Sequence, residues 1–120
     1  MLNTKLKKSL ALVAAIGAVA VFGSDLRAET IKIGTSAPKT GPLAGGAVVT
    51  HWPNVKLWAH DVNARGGLKL KSGQKKIEII EYDDRTNPGE AIKNFNRLAT
   101  QDKVDFMLAP YGTGFNLATA

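Results

Sequence analysis

Beyond residue 29 the chain switches between two apolar periods, two and 3.6. Ile31, Ile33 and Thr35 alternate with Lys32 and Gly34 ahead of Pro38, which predicts a strand over residues 30–36. Residues 37–46 then carry Pro38, Gly41, Pro42, Gly45 and Gly46, the composition of a loop. The helical period starts at Val55, with Trp58, Ala59 and Val62 at i+3, i+4 and i+7 on one apolar stripe. Thr50 is placed to cap this helix, Pro53 sits in its first turn where a missing N–H does no harm, and Gly66-Gly67 supplies the left-handed stop. Trp58 lies on the stripe and is expected in the core, whereas Trp52 sits near the loop and either packs or lines a pocket.

Residues 68–70 and 76–82 flank Lys71-Ser72-Gly73-Gln74, which predicts a short hairpin leading into a second strand with Ile77, Ile79, Ile80 and Tyr82. After Asp83-Asp84, the string Asn87-Pro88-Gly89-Glu90 reads as a cap, a proline at N1 and a glutamate at N3 able to reach back. Ile92, Phe95, Leu98 and Ala99 give that helix its apolar face. Residues 104–109 form a third, mostly apolar strand and residues 110–114 the loop after it. Strand, helix, strand, helix, strand predicts an α/β fold, a parallel Rossmann-like sheet flanked by helices through right-handed crossovers. Three strands and two helices cover one face of such a sheet at most, and residues 116–120 read as a third helix beginning. The chain is therefore expected to be the start of a longer protein.

The front end has a different pattern. Lys5, Lys7 and Lys8 precede an unbroken apolar stretch over residues 10–22, too short to span a bilayer and rich in small residues, which predicts a secretory signal over residues 1–28. Cleavage after Ala28 is the best fit, with Gly23 and Ser24 as other ends. The absence of cysteine removes disulfides, thiolate metal sites, cysteine nucleophiles and a lipid anchor, so a soluble protein in a Gram-negative periplasm is expected. Of the formal charge of +6, the first 28 residues hold four basic side chains against one acidic. That leaves +3 for residues 29–120, from 12 basic and 9 acidic residues, interspersed rather than gathered into a nucleic-acid footprint. Lys69, Lys71, Lys75 and Lys76 cluster only around the predicted turn.

Ligands of open parallel sheets bind at the carboxyl ends of the strands, so chemistry is expected in residues 37–46, 83–87 and 110–115. The glycines of the first loop match neither nucleotide-binding spacing, which favours a flexible loop facing a solute. Asp83 and Asp84 point in opposite directions at a strand end, without a histidine or third acid at ligand spacing, and read as acceptors for loop amides. His51 and His60 fall on opposite helix faces, so neither metal nor cofactor is expected. Gly112-Thr113-Gly114 leaves backbone N–H groups uncovered where a helix begins; this either attracts a carboxylate, helped by the Thr113 hydroxyl, or is purely conformational.

Ile31-Lys32-Ile33-Gly34, Thr40-Gly41-Pro42-Leu43-Ala44, Val62-Asn63-Ala64-Arg65-Gly66-Gly67, Tyr82-Asp83-Asp84 and Asn87-Pro88-Gly89-Glu90-Ala91 occur in an order and spacing that resembles the type I periplasmic solute-binding proteins, specifically the leucine/isoleucine/valine-binding family of branched-chain amino acid ABC importers. The resemblance implies two α/β lobes that close on a small solute and deliver it to an inner-membrane ABC permease, as a monomer and with no reaction catalysed. Residues 29–120 would be the first part of the N-terminal lobe. It implies further that Thr113 binds the ligand carboxylate, that Tyr111 and Gly112 touch the ligand's side chain beside Gly114, and that ammonium-binding residues lie outside this chain. Two positions depart from the family: Gly45-Gly46 stands where branched-chain binders often carry an aromatic residue, and Tyr111 replaces a smaller apolar one. A ligand-binding sensor domain of a membrane receptor and an exported α/β enzyme are the rival expectations.

Overall fold

The computed structural model describes residues 30–120; the predicted signal, residues 1–28, lies outside them. The first strand, β1 (Ile31–Ala37), is the centre of a parallel sheet. It pairs along its whole length with β4 (Ile77–Asp83), from Ile31 opposite Ile77 to Ala37 opposite Asp83. On its other side it pairs with β5 (Phe106–Met107). The third strand is thus shorter than predicted, although Asp105 N donates to Lys32 O and Leu108 N to Gly34 O on either side of the paired residues.

Alternation along β1 sends Ile31, Ile33, Thr35 and Ala37 to one face and Lys32, Gly34 and Ser36 to the other. The first face receives the helix α2 (Trp52–Ala64), whose Val62 and Ala59 pack on Ile31, Ile33, Ile77 and Ile79. The second receives α3 (Pro88–Thr100), whose fully buried Leu98 lies on Gly34 so closely that a methyl group there would come within 2.7 Å of it. Both faces therefore receive a helix, where the sequence suggested coverage of a single face. The strand order β4-β1-β5 is what two right-handed crossovers in opposite directions produce.

The predicted start of α3 is present: Asn87 Oδ1 accepts the amide of Glu90 at 3.1 Å and Pro88 follows the cap. Glu90 does not reach back; it pairs with Lys93 at 2.8 Å. Of the predicted apolar face Leu98 is buried and Phe95 partly so, whereas Ile92 and Ala99 are exposed; Ala91 joins the buried side together with Asn94, which donates to Ser36 Oγ and Asp83 O.

The segment after β1 departs most from expectation. A short helix, α1 (Ala44–Thr50), begins inside the predicted loop and meets α2 at His51. Thr50 caps nothing; its hydroxyl donates to Gly46 O within α1. Pro53 explains the joint, since it offers no N–H to the carbonyl of Val49 and its ring crowds that turn. Trp58, expected in the core, is 39% exposed, whereas Trp52, for which packing and pocket lining were both open, is 5% exposed and packs. Val55, Ala59 and Val62 alone carry the stripe facing the sheet, and Trp58 falls on its flank. The hairpin forms between β2 (Leu68–Leu70) and β3 (Gly73–Lys75), so the turn is Lys71-Ser72 and Gly73, at φ 111°, already belongs to a strand. Asn63 ties α2 to β4: its amide accepts from Ile77 N and donates to Ile77 O, both at 2.8 Å. The last helix, α4 (Thr113–Thr119), starts earlier than predicted and takes in Thr113 and Gly114.

Candidate functional site

Three loops meet at the carboxyl edge of the sheet, and Asp83 binds two of them together. At the end of β4 it accepts from the amides of Lys39 (2.9 Å), Thr40 (3.3 Å) and Arg85 (2.8 Å) and from the Thr40 hydroxyl (2.7 Å). Burial pushes its carboxyl up, but these donors together outweigh burial and hold it down at about 2. Asp84 is fully buried; among the described residues its carboxylate accepts only from Thr86 N, with Oδ2 unpartnered, and burial raises its pKa. Arg85 and Thr86 turn through φ 54° and 60°, which lets the Thr86 hydroxyl accept from Leu43 N and donate to Thr40 O. The two carboxylates therefore shape loops, as their spacing suggested. Among the described residues no group of three or more histidine or acidic side chains is placed to hold a metal.

Behind that frame, the wall of the site is aromatic. Tyr111 packs on Ala37, Ala47 and Trp52. Trp52 donates from Nε1 to Pro38 O at 3.1 Å, and the Lys39 ammonium lies 4.7 Å above its ring. Lys39 and Lys56 both pair with Glu81, at 2.8 and 3.6 Å. The ring of His51 stands edge-on to Trp52 (5.0 Å) and Tyr111 (6.4 Å), with Nε2 3.3 Å from Thr35 Oγ1. Burial lowers the His51 pKa, and nearby Glu81 only partly opposes that.

Of the site residues expected from sequence, Gly46 and Tyr111 come together across two elements. A side chain at position 46 would overlap the phenol oxygen of Tyr111, so the two departures from the family pattern occupy one volume. Gly112 adopts φ 103° and ψ 144° at the start of α4, a backbone that favours glycine, and its carbonyl accepts from Asn116 N and Nδ2. No side chain caps this helix, and Thr113 and Gly114 are exposed beside Tyr111. His51 and Thr35 are the members that sequence reasoning missed. Their signal was the i, i+4 spacing of Ala47 and His51, visible only once the preceding residues are recognised as helical.

The profile of the periplasmic binding proteins matches residues 30–120. An amino acid binding protein of Pseudomonas aeruginosa is 31% identical over 102 residues, 85% of this chain and 26% of that protein. The Leu/Ile/Val-binding protein of Escherichia coli is 32% identical over 93 residues, 76% of this chain and 23% of that protein. Among solved structures, the branched-chain amino acid transporter substrate binding protein LivJ from Streptococcus pneumoniae, in complex with isoleucine, superposes with a TM-score of 0.69 at 30% identity, covering 76% of this chain and 25% of that one. A type 1 periplasmic binding protein from Bordetella pertussis superposes with a TM-score of 0.57 at 29% identity, covering 75% and 23%. The chain spans about a quarter of the length of these relatives.

Proposed function

Because the chain belongs to the periplasmic binding protein family, we propose that residues 29–120 are the first part of the N-terminal lobe of a two-lobe, type I solute-binding component of an ABC importer. It binds an amino acid of branched-chain type, or a related small carboxylate or amide, and delivers it to an inner-membrane permease without catalysing a reaction. The protein works as a monomer in the periplasm, exported by the signal over residues 1–28.

The observation that carries this reading is the convergence of Tyr111, Gly46 and the exposed start of α4 on one edge of the sheet. In this arrangement the Thr113 hydroxyl, with the amides of residues 113 and 114, receives the solute carboxylate; Tyr111, Gly46 and Gly112 line its side-chain end. Asp83 takes no part in binding and holds the first loop against the second. The relatives named for amino acids, and the neighbour solved with isoleucine, support this solute class.

Calorimetry of the complete mature protein against a panel of amino acids and small carboxylates tests the proposal, and no binding to any of them overturns it. Thr113→Ala is expected to weaken binding by about 1–3 kcal/mol, the range for a hydrogen bond to a charged group. Unchanged affinity removes Thr113 from the site.

A further inference from the structure

The geometry points to Tyr111 as a selectivity residue: its hydroxyl, held over Gly46, favours a carboxylate solute with an amide or hydroxyl side chain over a purely aliphatic one. This rests on the solute-binding reading above and narrows its substrate class. The ring of Tyr111 is fixed from behind by Ala37, Ala47 and Trp52, and His51 stands edge-on to it. The glycine at 46 leaves room for the phenol oxygen, which a methyl group there would displace. No described residue hydrogen-bonds that oxygen, and the one buried side-chain oxygen without a partner among the described residues is Asp84 Oδ2. The Tyr111 hydroxyl therefore has no hydrogen-bond partner among the described residues and is not sealed from solvent.

An open hydroxyl is satisfied by water until a solute and an opposing surface exclude it. An aliphatic side chain then leaves it buried without a partner, whereas an amide or hydroxyl replaces the lost water. Discrimination of this kind is stronger than that from shape alone, because a mismatched solute strands a polar group. His51 contributes by position: its contact with Thr35 and its place beside the ring restrain the direction in which the phenol points.

The experiment is calorimetry of the complete mature protein with asparagine, glutamine and threonine against leucine and valine, repeated on Tyr111→Phe and Gly46→Ala. The first variant keeps the ring and deletes the hydroxyl; the second displaces the hydroxyl from outside. The wild-type protein is expected to bind at least one polar probe about tenfold or more tightly than leucine, as one hydrogen bond of ordinary strength requires. Both variants should abolish most of that preference. Tighter binding of leucine or valine by the wild type, or a ratio that Tyr111→Phe leaves unchanged, overturns the assignment while the solute-binding reading stands. Failure of every probe, together with the wider panel of carboxylates, overturns both.

Discussion

Replacing Asp83 by alanine should loosen the first loop from the sheet edge and make the protein less stable in a pH-dependent way. The carboxylate receives three backbone amides and one hydroxyl, and its pKa falls from 3.8 to about 2. At about 1.36 kcal/mol per pKa unit, that depression corresponds to roughly 2.5 kcal/mol before screening. The group lies near solvent, which weakens such interactions, so about 1–2 kcal/mol is the working figure. Because the folded pKa lies below the unfolded one, the stabilisation is fully present above pH 3.8 and disappears as pH falls through about 2. Urea unfolding of wild type and Asp83→Ala at pH 7, and at steps from pH 5 downward, reads both the size and its pH course. A gap under about 0.5 kcal/mol at pH 7, within the ordinary scatter of surface substitutions, refutes the reasoning. So does a gap that stays constant as the wild-type carboxylate is protonated.

Asn63→Ala should cost about 1–3 kcal/mol in the same unfolding assay, because it leaves the N–H and C=O of Ile77, a buried residue at the start of β4, without their partner. A loss no greater than that of Asn54→Ala, at an exposed position of the same helix, would show that water replaces the clamp. His51 carries a pKa lowered chiefly by burial, so the folded state prefers the neutral ring and stability falls as pH drops below 6.5. Wild type should therefore lose more stability than His51→Phe between pH 7 and pH 5, and parallel pH courses would remove His51 as the source.

Much of the fold was legible because its local signals agree with one another. Asn87-Pro88 started a helix where a cap and a proline require one, and the alternation of Ile31, Ile33 and Thr35 produced a strand. Asp83 was readable as a loop acceptor since two adjacent carboxylates at a strand end point apart. The start of α1 was not readable. Ala44, Gly45 and Gly46 have the composition of a loop, and they become helical where Ala47 is fully buried beside Ala37 and Trp52. The places of the two tryptophans were hidden for the same reason, as helical periodicity identifies a stripe but not which edge of it overhangs the sheet.

The sequence by itself determined the order of the sheet strands and of the helices α2 and α3 and the parallel α/β class, and it pointed to the carboxyl-edge loops as the place to expect a ligand. These follow from periodicity, caps and turns, which act over a few residues. Only the tertiary structure decided that Gly46 and Tyr111, 65 positions apart in the chain, share one volume, and that His51 stands behind them. Side-chain packing between distant segments leaves no period to read, because it is set by which surfaces the crossovers bring together.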